Sequence, residues 1–376
     1  MSCFFLHLES FAAGAKPVST PVPQLEPPLE FGEIWDAEQE INLQSVLDTT
    51  QAMLLKRSEG ASFIRRDAHP KHHGCVKADF VVDSSSLAPE LRVGIFAENT
   101  KKVFPAIIRF SNGNPDGGQS ADLAKDIRGM AVKLINIEGT KSGSQDFVML
   151  TSKEFFSKNG KDYHELHDAL GGGSLSTLWY LLLHGTERSI LLNSQIEAAN
   201  PLQLSYFSSV PYKLGARTMK FKVEPCAVNP KDTVPGKDAN TNYLRERLAS
   251  SLAKNASCFD FFVEPNMDME TQPVENPMIP WDETKSPYIK VASIQIPVQQ
   301  GSDSEGQLNF CENLSFDPWH TLPGTRPMGQ INRMRAKIYP FISSLRHQYN
   351  NTPILEPRDQ NFCAGESAAL CAAPKH

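Results

Sequence analysis

Apolar positions along the chain change period several times, and each change marks a different kind of element. Between Trp35 and Lys56 they recur at Ile41, Leu43, Val46, Leu47, Met53, Leu54 and Leu55, close to the helical repeat, with acids early and Lys56-Arg57 at the end. That spacing predicts one long helix. Beyond it the runs become short and β-branched or aromatic, at 77–82, 103–110 and 130–137, bounded by turn-forming clusters such as Asn112-Gly-Asn-Pro-Asp-Gly-Gly118 and Glu138-Gly-Thr-Lys-Ser-Gly143. These read as strands joined by turns. Helical spacing returns around 161–170 and 175–184, strand signals follow at 218–223, 258–263 and 289–298, and from Thr325 onward the pattern is helical again. Strands on both sides of a helical insertion fit one antiparallel barrel with flanking helices, an α+β fold, better than two independent domains.

Proline adds boundaries to that picture. Pro17, Pro21, Pro23, Pro27 and Pro28 lie within 16–32, where they favour an extended arm and remove the donors a sheet needs. The chain therefore divides into an extended arm over 1–34, one domain over 35–350 and a loop-like tail over 351–376. Such an arm suits a wrap around a second subunit in a homo-oligomer, or a fold back onto its own chain. Pro340, inside the last helical stretch, is expected to end or kink it locally.

A hydrophobic fraction of 40%, a charged fraction of 21% and a net charge of -6 over 376 residues are those of a globular protein, and the acidic balance argues against a nucleic-acid surface. The first nine residues are briefly apolar but lack a basic lead, which argues against a signal peptide. The most apolar run, Leu175 to Leu183, is too short to cross a bilayer. Seven cysteines, odd in number and scattered without a zinc-like spacing, read as free thiols in a reducing compartment, hence a cytoplasmic protein.

Chemistry concentrates at a few places. In Arg335-Ala-Lys-Ile-Tyr339, helical spacing puts a guanidinium one turn from a phenol oxygen, and in a dry site such a partner favours the phenolate, a potential metal ligand. Arg346, seven residues further on, returns to the same face. An ordinary amphipathic helix with one half-buried tyrosine accounts for that run equally well when it is read alone. His69, three residues after Arg66, suits a general base or a metal ligand, although most lone histidines are simply satisfied side chains. Arg109-Phe110-Ser111 ends an apolar strand, placing a charge and a hydroxyl at the mouth or interior of a barrel. Asp126 and Arg128 precede another strand, where a surface ion pair is the plain reading.

Taken in order, these pieces resemble the catalase superfamily. Arg66 to Gly74 resembles the run around its essential histidine; Arg109-Phe110-Ser111, Ser120-Ala121-Asp122 with Asp126 to Lys133, and Arg335 to Pro340 resemble three further motifs in family order. The stretch Arg326 to Arg333 is similar to the small catalase-related heme proteins, which include peroxidases and the allene oxide synthase type. The resemblance implies a catalase-like antiparallel β-barrel holding heme b, with Tyr339 as iron ligand, Arg335 supporting it, and Arg66, Arg109 and Arg346 holding the propionates. It further implies His69 as the distal proton carrier, Ser111 orienting it, and Phe316 as an apolar contact of the heme. Near Tyr163 and His164 the family places an aromatic over the ring, and either residue suits. Two positions depart from the pattern. Thr151 stands where catalases carry a distal asparagine, and Ala68 where the allene oxide synthase type carries a threonine. The expected activity is a heme peroxidase using hydrogen peroxide or an organic hydroperoxide with a small reductant. The alternatives are a fatty-acid hydroperoxide isomerase and a heme-binding protein of low turnover.

Overall fold

Short alternating strands pair with their sequence neighbours, and the result is a single antiparallel sheet. The computed structural model describes residues 27–97 and 101–373. Nine strands are present among them: β1 (Lys71–Val82), β2 (Val103–Asn112), β3 (Arg128–Ile135), β4 (Ser144–Leu150), β5 (Tyr206–Phe207), β6 (Tyr212–Leu214), β7 (Arg217–Pro225), β8 (Ser257–Pro265) and β9 (Ile289–Ile296). Their order is β5-β4-β3-β2-β1-β9-β8-β7-β6, and a β5–β7 pairing closes eight of them into a barrel. The α+β barrel expected from the periodicity is what forms.

Period-two alternation decides what fills it. Phe80 of β1, Ile108 and Phe110 of β2, Val132 of β3, Phe147 of β4, Phe221 of β7 and Phe261 of β8 belong to one fully buried cluster. The rings of Phe147, Phe221 and Phe261 approach to 4.9–5.5 Å between centroids, so the interior is packed solid. The residues between them in sequence, Arg109, Ser111 and Ala131, therefore face outward, in register across β2 and β3 as Arg109↔Ala131 and Ser111↔Gly129. This corrects one expectation: Arg109 and Ser111 lie on the outer face of the barrel, not in its interior.

Seven α-helices surround the barrel among the described residues: α1 (Ala37–Arg57), α2 (Gly160–Gly171), α3 (Ser174–Leu183), α4 (Gly185–Ser194), α5 (Tyr243–Leu252), α6 (Glu305–Asn313) and α7 (Gly329–Tyr349). Asp36 caps α1 by accepting the amides of Glu38 and Gln39. Pro340 neither ends α7 nor divides it: the helix runs on to Tyr349. An interior proline costs about 3 kcal/mol. On the buried face of α7, Met334, Ile338 and Ile342 pack against Leu43, Val46, Leu47 and Leu54 of α1, at about 1.5–3 kcal/mol each, which outweighs that cost.

The described ends of the chain, from residue 27 and up to residue 373, belong to the body of the protein. Pro28 accepts hydrogen bonds from Arg326 and Arg333 through its carbonyl oxygen, and buried Glu33 receives Arg326, Arg333 and the Gly329 amide. The described end of the arm thus folds onto its own chain, while residues 1–26 lie outside the described residues. In the tail, Gln360 bonds the Ala78 and Ala106 carbonyls through its amide, and Leu370 is fully buried beside Phe310 and Cys311.

The cysteines require a correction. Cys75–Cys311, Cys226–Cys258 and Cys363–Cys371 are disulfides, so the free-thiol reading does not hold for these six; Cys3 lies outside the described residues. Cys75 and Cys311 are separated by 236 residues and meet only because α6 lies against β1. Among the described residues, no helix is long and apolar enough to cross a membrane.

Candidate active site

A cavity opens between the outer face of β2, β3 and β4 and the helices α2 and α7. His69, Ser111, Arg66, Arg109, Phe316, Arg335, Tyr339 and Arg346 all line it. These residues come from positions as far apart as 66 and 346, and the barrel register and α7 bring them to one place.

Helix α7 supplies one pole. Arg335 donates from Nη2 to the Tyr339 hydroxyl at 2.9 Å and from Nη1 to Asn332 Oδ1 at 3.0 Å. Asn332 in turn donates to the Pro211 and Met328 carbonyls, which fixes the fork. Burial works against the charge on Arg335, yet the oxygens of Tyr339 and Tyr212 hold its pKa above the ordinary value. The i, i+4 pairing expected from the sequence is present.

His69 supplies the other. Its Nδ1 lies 3.2 Å from Ser111 Oγ, and its backbone carbonyl accepts from Arg109 Nη2 at 2.8 Å. The residue has a positive φ of 56°, uncommon for a side-chain-bearing residue, and the Arg109 contact helps to hold it there. Burial, then the charges of Arg109 and Arg335, push the His69 pKa down to about 3, so the ring is neutral at physiological pH. The space the ring occupies exists because position 129 is glycine. A Cβ there would stand 2.6 Å from His69 Nδ1 and 2.8 Å from Ser111 Oγ. Gly129→Ala is therefore expected to displace the imidazole from the Ser111 hydroxyl, which the NMR resonances of the His69 ring in the variant check.

The arginines form a cluster with little compensation. Arg66 donates to the Cys311 and Leu314 carbonyls and Arg346 to the Glu312 carbonyl, so both engage the C-terminal end of α6. Glu312 is the carboxylate among them, 3.8–3.9 Å from Arg65, Arg66 and Arg346, and neither of its oxygens has a hydrogen-bond partner. Burial would raise its pKa, but Arg66, Arg346 and Arg109 hold it below the ordinary value. Burial and the neighbouring Arg66 lower the pKa of Arg346 to about 9, and the same two causes lower that of Arg109; Arg109 Nε is buried without a partner. Such a pocket favours added carboxylates. A phenol oxygen on α7, the buried guanidinium groups of Arg109 and Arg346 beside the half-buried Arg66, and a wide apolar wall fit a flat dicarboxylate cofactor of the heme type.

Two further assignments follow from the geometry. Tyr163, not His164, lines the cavity; His164 is engaged by Asn42 and Asp168 on the far side of α2. Thr151 is not brought to the cavity wall. Its hydroxyl accepts the Arg128 amide at 3.0 Å across β3 and β4, which corrects the expectation of a distal hydroxyl there; Met130, Met149, Leu150, Phe155 and Phe156 form that wall instead. Arg128, read from the sequence as half of a surface ion pair, is buried and donates to Asn112 and to the Asp122 and Ala124 carbonyls. Glu312 and Asn332 did not stand out in the sequence. Asn332 had a signal available, its three-residue spacing from Arg335, whereas Glu312 had none.

The fold is a catalase-like antiparallel β-barrel. The chain is similar to catalase A from Saccharomyces cerevisiae (TM-score 0.62, 17% identity, 78% of this chain and 64% of that one) and to a fungal catalase (0.59, 18%, 78% and 61%). It is likewise similar to a bacterial catalase (TM-score 0.60, 18% identity, 83% of this chain and 64% of that one). It thus spans 61–64% of the length of these catalases. No family model and no curated protein matches the sequence.

Proposed function

We propose that the chain is a heme-dependent, catalase-related peroxidase acting on hydrogen peroxide or organic hydroperoxides. The observation that carries this reading is the presence in one cavity of the Arg335–Tyr339 pair and the Ser111–His69 pair, beside a surplus of buried arginines. Tyr339 would hold the iron, and Arg66, Arg109 and Arg346 the propionates. When bound, heme supplies a redox iron at which a peroxide O–O bond is broken. The chain's own part is proton transfer. In the tautomer that carries its proton on Nδ1, facing Ser111 Oγ at 3.2 Å, neutral His69 would have Nε2 free to take a proton from one peroxide oxygen and deliver it to the other. The Met130, Met149, Leu150, Phe155 and Phe156 wall offers no polar group to a small peroxide and accommodates an apolar tail, which favours organic hydroperoxides.

The same wall supports a second reading, a fatty-acid hydroperoxide isomerase. Heme-loaded protein is to be incubated with hydrogen peroxide and with a fatty-acid hydroperoxide, each with and without a phenolic reductant, and the products analysed. Reductant-dependent consumption is the result expected of the peroxidase. Rearrangement of the lipid hydroperoxide without reductant supports the isomerase, and encounter-limited disproportionation of hydrogen peroxide a catalase. Bound heme with no consumption of either leaves a heme-binding protein.

A further inference from the structure

One carboxylate stands behind the arginines that line the cavity, and its pairing with them is incomplete. Glu312 sits in the last turn of α6, 4% exposed. Its Oε1 lies 3.9 Å from both Arg66 Nη1 and Arg346 Nη1, and its Oε2 lies 3.8 Å from Arg65 Nη1 and 3.6 Å from His72 Nε2. None of these approaches is close enough for a hydrogen bond, and both oxygens are buried without a partner. The arginines are held by other acceptors. Arg66 donates to the Cys311 and Leu314 carbonyls, Arg346 to the Glu312 carbonyl and to His347 Nε2, and Arg109 to the His69 carbonyl. The Glu312 side chain therefore contributes charge to the cluster without fixing its geometry.

The surrounding charges show what that contribution does. Arg66, Arg109 and Arg346 line the cavity, and a guanidinium keeps its proton even when buried. Burial, and then repulsion from Arg66, lower the pKa values of Arg109 and Arg346. His72 and His347 also face the cluster, and burial and the arginines keep both neutral. Arg245 donates to the His72 carbonyl and is drawn by Asp122 and Asp303, and the Arg65 side chain, 36% exposed, is screened by solvent. Glu312 stays ionised because Arg66, Arg346 and Arg109 outweigh its burial. Against the three cations that line the cavity it leaves two uncompensated, the charge that a flat ligand with two carboxylates neutralises.

We propose that Glu312 is the resident counter-charge of this cavity: it stabilises the arginine cluster while the cavity is empty and limits the attraction for anions to that of a dicarboxylate porphyrin. This role rests on the porphyrin reading of the cavity and is exerted through Arg66, Arg109 and Arg346, since Glu312 itself does not line the cavity. Removing its charge therefore has two effects of opposite sign. The empty protein loses stability, because the guanidinium groups then face one another with less compensation. The dicarboxylate binds more tightly, because it meets a larger positive charge. A side chain that merely packed, or one that oriented the arginines, would lower stability and affinity together.

Glu312→Gln tests it with two probes: metal-free protoporphyrin IX, which carries two carboxylates and no iron, and its dimethyl ester, which carries no charge. Glutamine keeps the shape, and as the Glu312 oxygens make no hydrogen bond, none is given up. In fluorescence titrations the variant is expected to bind protoporphyrin IX at least about tenfold more tightly than the wild type and the ester within about twofold, and to unfold at a lower temperature when empty. Glu312→Asp, which keeps the charge, is expected to bind both within about threefold of the wild type. Should Glu312→Gln not fold alone, refolding with protoporphyrin IX is expected to recover it and refolding with the ester is not. An unchanged or lower affinity for protoporphyrin IX, an equal gain for the ester, or recovery that does not distinguish the two overturns the proposal. A wild type that binds neither porphyrin overturns the porphyrin reading and the role of Glu312 with it. Hemin that binds no more tightly than protoporphyrin IX, with the glutamine effect present, supports the role of Glu312 and overturns only iron ligation by Tyr339.

Discussion

Tyr339→Phe is expected to give a folded protein that no longer takes up heme, with affinity lower by more than about 100-fold. The substitution removes one oxygen, and that oxygen's partner is Arg335 Nη2. Arg335 keeps its second anchor at Asn332, and the apolar face of α7 through Met334, Ile338 and Ile342 is untouched, so the helix remains in place. What disappears is the one phenol oxygen of the cavity held by a buried guanidinium. Titration with hemin, followed by absorbance and paired with circular dichroism, checks the result. A variant that binds heme with the wild-type spectrum would show that Tyr339 is not the ligand.

His69→Ala has the opposite signature: heme uptake is retained and peroxide cleavage falls by about 10²–10⁴-fold. His69 is held through Ser111 Oγ and its own carbonyl and makes none of the arginine or tyrosine contacts that would retain the cofactor, apart from the backbone bond to Arg109, which alanine preserves. Its pKa, depressed to about 3 by burial and by Arg109 and Arg335, also sets the pH dependence. The neutral base is present above the depressed value and is lost only as pH falls through it. Turnover should therefore be level from about pH 5 to 8, whereas an unperturbed histidine would give an acid limb near 6.5. Rates measured across that range decide it, and a limb near 6.5 would mean that His69 is solvated or is not the base.

These two residues illustrate what kinds of information a sequence holds. Arg335 and Tyr339 lie four apart on one helix, so the ladder itself brings them together and their pairing was legible. His69 and Ser111 are 42 residues apart, and only the β1–β2 hairpin register joins them. The family resemblance implied their contact, which no local spacing along the chain could have supplied. Thr151 shows the limit of counting along a strand, since its hydroxyl was placed in the site by spacing and is instead spent on the Arg128 amide in the β3–β4 ladder. The polar opening of β4, Ser144-Gln145-Asp146, hid that strand altogether; Asp146 is buried there because Lys133 on β3 and His320 reach it.

The sequence by itself determined the elements whose periodicity is local and strong: the long first helix, most of the barrel strands, and the Arg335–Tyr339 pair on α7. It also determined that strands would flank a helical insertion in one barrel. Tertiary structure alone decided the rest, because each remaining feature is a meeting of distant segments. The barrel interior is filled by the rings of Phe147, Phe221 and Phe261, which puts the cavity on its outer face. Cys75 finds Cys311 across 236 residues, Glu312 comes to stand among the arginines, and α3 keeps a leucine stripe in the open because its other side already meets α2. Period and spacing specify which side chains share a face, but only packing specifies what that face meets.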